Sequence, residues 1–235
     1  MNDMRKRAGR KVAVLGPIPR DQVVTHAGER FHKYGCVIYE VGQPTLRYIK
    51  EHSRAPVVMD AHGPATTLTR SGERQPRAWA DQDVWLPYID ILKMNLDEAS
   101  STWLGESGEL TADPPRLSDE QLRDLARHCL GRGVGAVCVT LDERGCVAFF
   151  RDGSGGVAEK FVDRIEVAHV VDTTGAGDSF AGGLAYGYLA YRDYVVACQY
   201  GNAMGAQRVA GTDLSVYLSR EETERQILAA YGPRP

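Results

Sequence analysis

Residues 172–180 read Asp-Thr-Thr-Gly-Ala-Gly-Asp-Ser-Phe. Gly175 and Gly177 let the backbone turn sharply and come close to a ligand. The apolar run at 167–171 before them predicts a strand, and the small, apolar run at 180–189 after them predicts a helix. A helix start leaves N–H groups without intrahelical partners and carries partial positive charge, so an anion such as a phosphate is favoured there. Asp178 falls in the same first turn. A carboxylate beside an anion cradle suits phosphoryl transfer to an alcohol. The carboxylate takes the hydroxyl proton, and the amides of Gly175, Ala176 and Gly177 hold the charge that spreads over the phosphoryl oxygens. Glycine-rich strand-to-helix turns also occur without any ligand. The aspartates and threonines around these glycines favour the chemical reading. A Walker phosphate loop would need Gly-Lys-Ser/Thr, and there is no lysine here; a dinucleotide fingerprint would need a third glycine where Phe180 stands.

The stretch resembles the second signature of the PfkB (ribokinase-like) family of carbohydrate kinases, DTTGAGD followed by an aromatic and small residues. Residues 172–180 agree throughout, and Ala181, Gly182 and Gly183 follow. The resemblance implies a γ-phosphoryl transfer from ATP to a sugar hydroxyl. Asp178 would be the base, 175–177 the anion hole, and Mg2+ would bridge the ATP phosphates. Thr174 would border the nucleotide. Many members also hold a monovalent cation such as K+ behind the anion hole, and Asp172 and Thr174 stand where its ligands would be.

Composition bounds the other classes. The chain has 235 residues, 43% hydrophobic, enough for one domain with a full core. A net charge of −3 argues against nucleic-acid binding. No apolar run approaches the roughly 20 residues that span a bilayer. The apolar stretch at 12–15 is too short for a signal peptide. Cysteines 36, 129, 138, 146 and 198 show no metal-ligand spacing and read as reduced core residues of a cytoplasmic protein.

In chain order, 12–15 predicts a short buried strand ended by Gly16 and Pro17, with Asp21 after the turn. A carboxylate beyond a strand's carboxyl end can accept bonds from sugar hydroxyls, and it can equally stabilise the turn. The family has a substrate-binding aspartate five residues after such a glycine, as Gly16 and Asp21 are spaced here. Residues 22–26 and 36–41 predict two strands. Either they form an edge hairpin or, by the resemblance, the small β lid that often pairs between subunits into a homodimer. The family's glycine-pair motif and the β-α units after the lid are missing. Residues 41–42 run straight into Pro44, a helix over 46–51 and a strand over 57–60. His62 reads as an exposed turn residue and 65–84 as a loop.

Asn95 and Glu98 follow a strand over 89–92. They form a capping box, complete without a ligand. They also resemble the family's Asn-x-x-Glu pair, which organises magnesium and phosphate through water. Ser118 and Gln121 open another helix, and 136–140 is a buried strand. Thr140 and Gly145 match the family's nucleotide-contacting Thr-x-Gly-x-x-Gly, with Asp142 where a glycine is expected. A hairpin over 146–150 and 157–162 follows. Gly182, Gly183 and Gly187 inside a helix predict close approach of a neighbour. The 4-3-4-3 spacing from Val195 to Val209 puts Asn202 on an apolar helix face. There it is a satisfied amide or, by the resemblance, a border of the adenine pocket. Gly211 predicts a left-handed helix cap.

Alternating strands and helices predict an α/β fold. The resemblance makes it a ribokinase-like, three-layer α/β/α sandwich with a mostly parallel sheet and a small β lid. The alternatives are a nucleoside kinase of the same family, or a nucleotide-binding protein with weak or no kinase activity because its sugar side is incomplete.

Overall fold

The computed structural model describes residues 13–15, 20–24, 30–34, 42–68, 74–107 and 110–233. The chain divides into two compact units, Leu15–Val137 and Cys138–Pro235, the latter joined by Met1–Val14.

Strand β1 (Ala13–Leu15) lies at that boundary. In the unit 15–137, β2 (Arg20–Val24) and β3 (Arg30–Tyr34) pair antiparallel, with Asp21 opposite Lys33 and Val23 opposite Phe31. This corrects the strand positions expected from composition. Arg30–Tyr34 is mostly polar, and backbone pairing rather than an apolar run makes it a strand. Residues 36–41 and the side chain of Asp21 lie outside the described residues.

Helix α1 (Gln43–His52) starts a turn earlier than expected. Pro44 sits in its first turn, where the missing N–H costs nothing. Strand β4 (Val57–Asp60) forms as expected and pairs in parallel with β7 (Ile91–Asn95), in the register Val58 to Ile91 and Asp60 to Lys93. Both are nearly continuous buried runs, as strands covered on both faces must be.

The expected loop at 65–84 holds structure instead. Helix α2 (His62–Ala65) leads into it, the antiparallel strands β5 (Thr66–Leu68) and β6 (Arg74–Pro76) lie within it, and α3 (Gln82–Trp85) closes it. These pieces are short and polar, so no periodicity betrays them. Their anchor is Trp79, fully buried and edge-on to Trp85 at 6.4 Å between ring centroids. Helices α4 (Leu96–Ser107) and α5 (Asp119–Gly131) complete the unit, the second opened by the Ser118–Gln121 capping box.

Strand β8 (Ala136–Thr140) spans the boundary in sequence between the two units. In the unit 138–235, β9 (Gly145–Arg151) and β10 (Val157–Asp163) form the expected hairpin. The apolar run at 167–171 is not a strand. Val170 and Val171 are exposed, and Val171 N–H donates to the Val209 carbonyl at 2.7 Å. Apolar side chains alone do not make a strand without an edge to pair with.

Helices α6 (Ala176–Tyr191) and α7 (Tyr194–Val209) pack tightly. A Cβ at Gly183 would collide with the Tyr200 carbonyl, and one at Gly187 would lie 2.8 Å from Ala197 Cα. Gly201 makes room for the Phe180 ring in the same way, whereas Gly182 faces open space. Helix α7 is buried well beyond the expected face. It is closed by Ala210 at φ −78°, so Gly211 is not a left-handed cap; its missing side chain makes room for Val216. Helix α8 (Arg220–Tyr231) carries its own capping box from Ser219 and Glu222.

Cys129, Cys138, Cys146 and Cys198 are buried and reduced. The last three converge, with their sulfurs within 4.8 Å of one another. Hydrogen bonding with Cys138 and burial push the Cys146 and Cys198 thiols well above the usual thiol range, so they stay neutral core residues. No helix among the described residues is long and apolar enough to cross a membrane.

Candidate active site

The unit 138–235 holds the glycine turn. Gly175 adopts φ +80°, the left-handed region glycine occupies without strain, and sets the chain at the start of α6. Asp172 Oδ1 accepts from Thr174 N–H at 2.9 Å, folding the approach into an Asx turn. Of the three amides expected in the anion hole, that of Ala176 already donates to the Thr173 carbonyl at 3.1 Å. The N–H groups of Gly175 and Gly177 have no acceptor among the described residues. Asp178 is exposed in the first turn of α6. Ser179 Oγ bonds back to the Gly175 carbonyl at 2.8 Å and meets Tyr217 OH at 2.6 Å, fixing the turn from behind.

Arg208 belongs to the same arrangement and was not singled out from sequence. Its guanidinium is buried, with Nη2 3.4 Å from Asp172 Oδ2 and Nη1 donating to the Gly211 carbonyl. Its Nε lies 3.4 Å from where a Gly175 Cβ would stand.

Thr140 ends β8, and Leu141 N–H donates to the Gly145 carbonyl at 2.8 Å to close the next turn. Asp142, where the family has glycine, adopts φ +55°. Aspartate is among the few residues besides glycine that tolerate this conformation. Gly145, at φ +102°, cannot carry a side chain, because a Cβ would strike the Val162 carbonyl and the backbone of Arg164. Asn202 is the satisfied amide: its Nδ2 donates to the carbonyls of Val162 and Asp163 at 3.1 and 2.7 Å. Near this turn a groove of about 880 Å³ is lined by Glu143, Arg144, Phe161, Arg164 and Gln226, among others.

The unit 15–137 holds a second cluster, at the carboxyl ends of β4 and β7. The capping box of Asn95 and Glu98 is fully made. Asn95 N–H donates to Glu98 Oε2 at 2.7 Å, and Glu98 N–H donates to Asn95 Oδ1 at 2.8 Å. Glu98 is also held by Asn95 Nδ2 at 3.1 Å and His62 Nδ1 at 2.8 Å. His62 is therefore a partner of Glu98 rather than an exposed turn residue. Lys93 Nζ lies 2.8 Å from Asp60 Oδ2 and 3.9 Å from Glu98 Oε2. Burial pushes the Asp60 carboxyl up to about 6 against the pull of Lys93. Burial would raise Glu98 too, but Lys93 and His62 outweigh it and hold that carboxyl below its usual range. A lysine inside the apolar run 91–94 was the sequence signal for this network, since buried lysines are almost always paired.

Two metal sites are expected from the resemblance, magnesium through water at Glu98 and a monovalent cation at Asp172 and Thr174. Glu98 is 3% exposed and both its oxygens already accept hydrogen bonds, which leaves the expected link through water and not a direct one. Asp172 faces a guanidinium, so it does not fit a monovalent cation.

Comparison with known proteins follows the same lines. The model of the pfkB family of carbohydrate kinases matches residues 60–216. Over 168 residues the chain is 31% identical to 2-dehydro-3-deoxygluconokinase of Bacillus subtilis, covering 71% of this chain and 48% of that protein. Over 91 residues it is 37% identical to fructoselysine 6-kinase of Escherichia coli, covering 39% of this chain and 33% of that protein. The chain thus spans about half the length, or less, of the curated relatives it matches. Ribokinase of Arabidopsis thaliana, solved with ribose and ATP, superposes with a TM-score of 0.63 at 18% identity, covering 88% of this chain and 67% of that one. Ribokinase of Thermotoga maritima gives 0.61 at 20% identity, covering 88% and 68%. These likenesses show the fold, a ribokinase-like α/β/α sandwich with a mostly parallel sheet. The matched family model covers the Asp-Thr-Thr-Gly-Ala-Gly-Asp turn and the cluster from Asp60 to Glu98: this chain belongs to the pfkB family of carbohydrate kinases.

Proposed function

We propose that the chain is an ATP-dependent sugar kinase whose phosphoryl-transfer centre is the turn at 172–178. The observation that carries this reading is Asp178, exposed one residue beyond Gly177 in the first turn of α6, beside two backbone N–H groups that no described residue uses. Asp178 would take the proton of the acceptor hydroxyl as that oxygen bonds to the γ-phosphorus and the bond from the γ-phosphorus to the β,γ-bridging oxygen breaks, with ADP leaving. The amides of Gly175 and Gly177, with the positive end of α6, hold the charge on the phosphoryl oxygens. Ala176 contributes through its place in the turn, its own N–H being already engaged. Mg2+ bound with the nucleotide supplies charge neutralisation on the phosphates. Glu98 belongs to this reading as a contact to magnesium through water.

Thr140, Gly145, Thr174 and Asn202 belong to the nucleotide side of this reading. Gly145 and Asn202 act by shaping the turn and the end of β10. Asp21 belongs to the acceptor side of this reading, and the strand pair β2–β3 that carries it would belong to the lid. Matched relatives are named for dehydro-deoxygluconate and fructoselysine, so sugar acids and ketose derivatives head the acceptor class, ahead of nucleosides. The test is ADP release with each acceptor in turn, for the wild type and for Asp178→Asn. The variant should lose roughly 10²–10⁴ in turnover, the usual worth of a general base, and bind ATP almost unchanged. Near-normal turnover on the best acceptor removes Asp178 from this role.

A second reading rests on the missing glycine-pair motif between the lid and α1. Without it few groups orient the acceptor, and misplacement near the base can cost on the order of 10²-fold in rate. The chain would then bind ATP better than any sugar. A monomer that phosphorylates a sugar at about 1–100 s⁻¹, the ordinary kinase range, sets this second reading aside.

A further inference from the structure

Three features meet behind the anion-binding turn. Asp172 uses one carboxylate oxygen to cap Thr174 N–H at 2.9 Å and turns the other toward Arg208 Nη2 at 3.4 Å. The same guanidinium donates through Nη1 to the Gly211 carbonyl just beyond the end of α7. Its Nε passes within 3.4 Å of the ideal Cβ position of Gly175, the residue whose left-handed φ sets up the turn. The Asp172 and Arg208 side chains are 24% and 10% exposed, so this pair is largely screened from water.

A carboxylate and a backbone carbonyl converging behind an anion site make a nest for a cation. Here a covalently attached cation already fills it. Guanidinium suits the place: planar, always charged, with several donors to spread between a carboxylate and a carbonyl. A second cation in the same nest would face a like charge a few ångström away in a partly dry site, where repulsion is strong. We propose that the Arg208 guanidinium stands in for the monovalent cation behind the anion hole, acting as a positioning residue that holds Asp172 and the 173–177 turn in their nucleotide-binding shape without K+. The inference rests on the kinase reading above for its ligand, the nucleotide, but its geometry is independent of the acceptor.

Binding, rather than turnover, provides the readout. Calorimetric titration with MgADP is run in potassium chloride and in tetramethylammonium chloride at equal ionic strength. Wild-type affinity should be the same in both. Arg208→Ala should bind roughly 10- to 100-fold more weakly in tetramethylammonium, the worth of a hydrogen bond to a charged group. Potassium or free guanidinium should restore part of that loss in the alanine variant and do nothing for the wild type. Arg208→Lys, which keeps the charge, should fall between them. A purely structural arginine would weaken binding without cation-selective rescue, and that result overturns the proposal. So does wild-type binding that needs potassium, which would leave the kinase reading intact. If the wild type binds no MgADP in either salt, the kinase reading fails and melting curves decide. A saturable, potassium-specific rise in wild-type melting temperature overturns the proposal. A rise confined to Arg208→Ala upholds it.

Discussion

The turn at 172–178 and the cluster at the ends of β4 and β7 are built from similar parts. Each sets a carboxylate against a cation near the start of a helix, Asp172 against Arg208 in one and Asp60 against Lys93 in the other. They differ in what remains unspent. In the cluster, Asp60, Lys93, Glu98, His62 and Asn95 satisfy one another, and Lys93 and Glu98 are almost wholly buried. In the turn, Asp178 is exposed and two amides lack acceptors among the described residues. A polar group with no internal partner is available to a ligand; one with every partner in place holds a shape. The contrast separates two kinds of importance that a list of conserved-looking charges would merge.

Substitutions can break that division, starting with the largest expected effect. Asp178→Asn should cost turnover by the factor of roughly 10²–10⁴ given above while leaving the unfolding free energy within about 0.5 kcal/mol of wild type. Lys93→Met should do the opposite. It strands two buried carboxylates and should destabilise by about 3–5 kcal/mol in urea unfolding. Stability within the error of wild type would mean that the cluster is wetter than its geometry implies. Gly177→Val tests the turn without touching a charge. Its β-branched side chain crowds the path of a phosphate, so MgADP titration should show weaker binding in a variant whose circular dichroism is unchanged.

The smallest effect is a slope. The folded-state carboxyl of Asp60 sits at about 6, above its ordinary 3.8, so the folded chain holds a proton there that the unfolded chain has released. Its contribution to stability is full below 3.8 and is lost as pH rises through about 6. Glu98, held low, contributes in the opposite sense, and its share is lost on acidification. Asp60→Asn should remove the downward slope between these limits and leave the acid-side loss. Urea midpoints measured across pH 4 to 7 would contradict the assignment if the wild type and the variant run parallel.

The glycine turns were largely legible in the sequence because their geometry is local. Gly175 and Gly145 adopt positive φ, a backbone conformation that dictates residue type, and Thr140 and Asp178 stand within a few residues of them. Even the departure at Asp142 proved to be a position with positive φ. What stayed hidden was assembled across the chain. Asp60 meets Lys93 only because β4 and β7 pair in one register, and Arg208 meets Asp172 only because α7 folds back over the turn. His62 was misjudged for the same reason, its partner being 36 residues away. The run at 167–171 misled in the other direction. Its periodicity suits a strand, but a strand also needs an edge to pair with, and the sequence does not say whether one is free.

The glycines between α6 and α7 bear on the cost of binding. Gly183 and Gly187 bring the two helices into backbone contact and Gly201 seats the Phe180 ring between them, so the helix that begins at the glycine turn and the helix that carries Arg208 and Asn202 are tightly packed. If the turn binds a nucleotide as proposed, its donors are already in place and little chain is left to immobilise, so less of the interaction energy goes into ordering the site. The signature would be slow amide exchange along the facing turns of both helices in the free protein, changed little when MgADP is added.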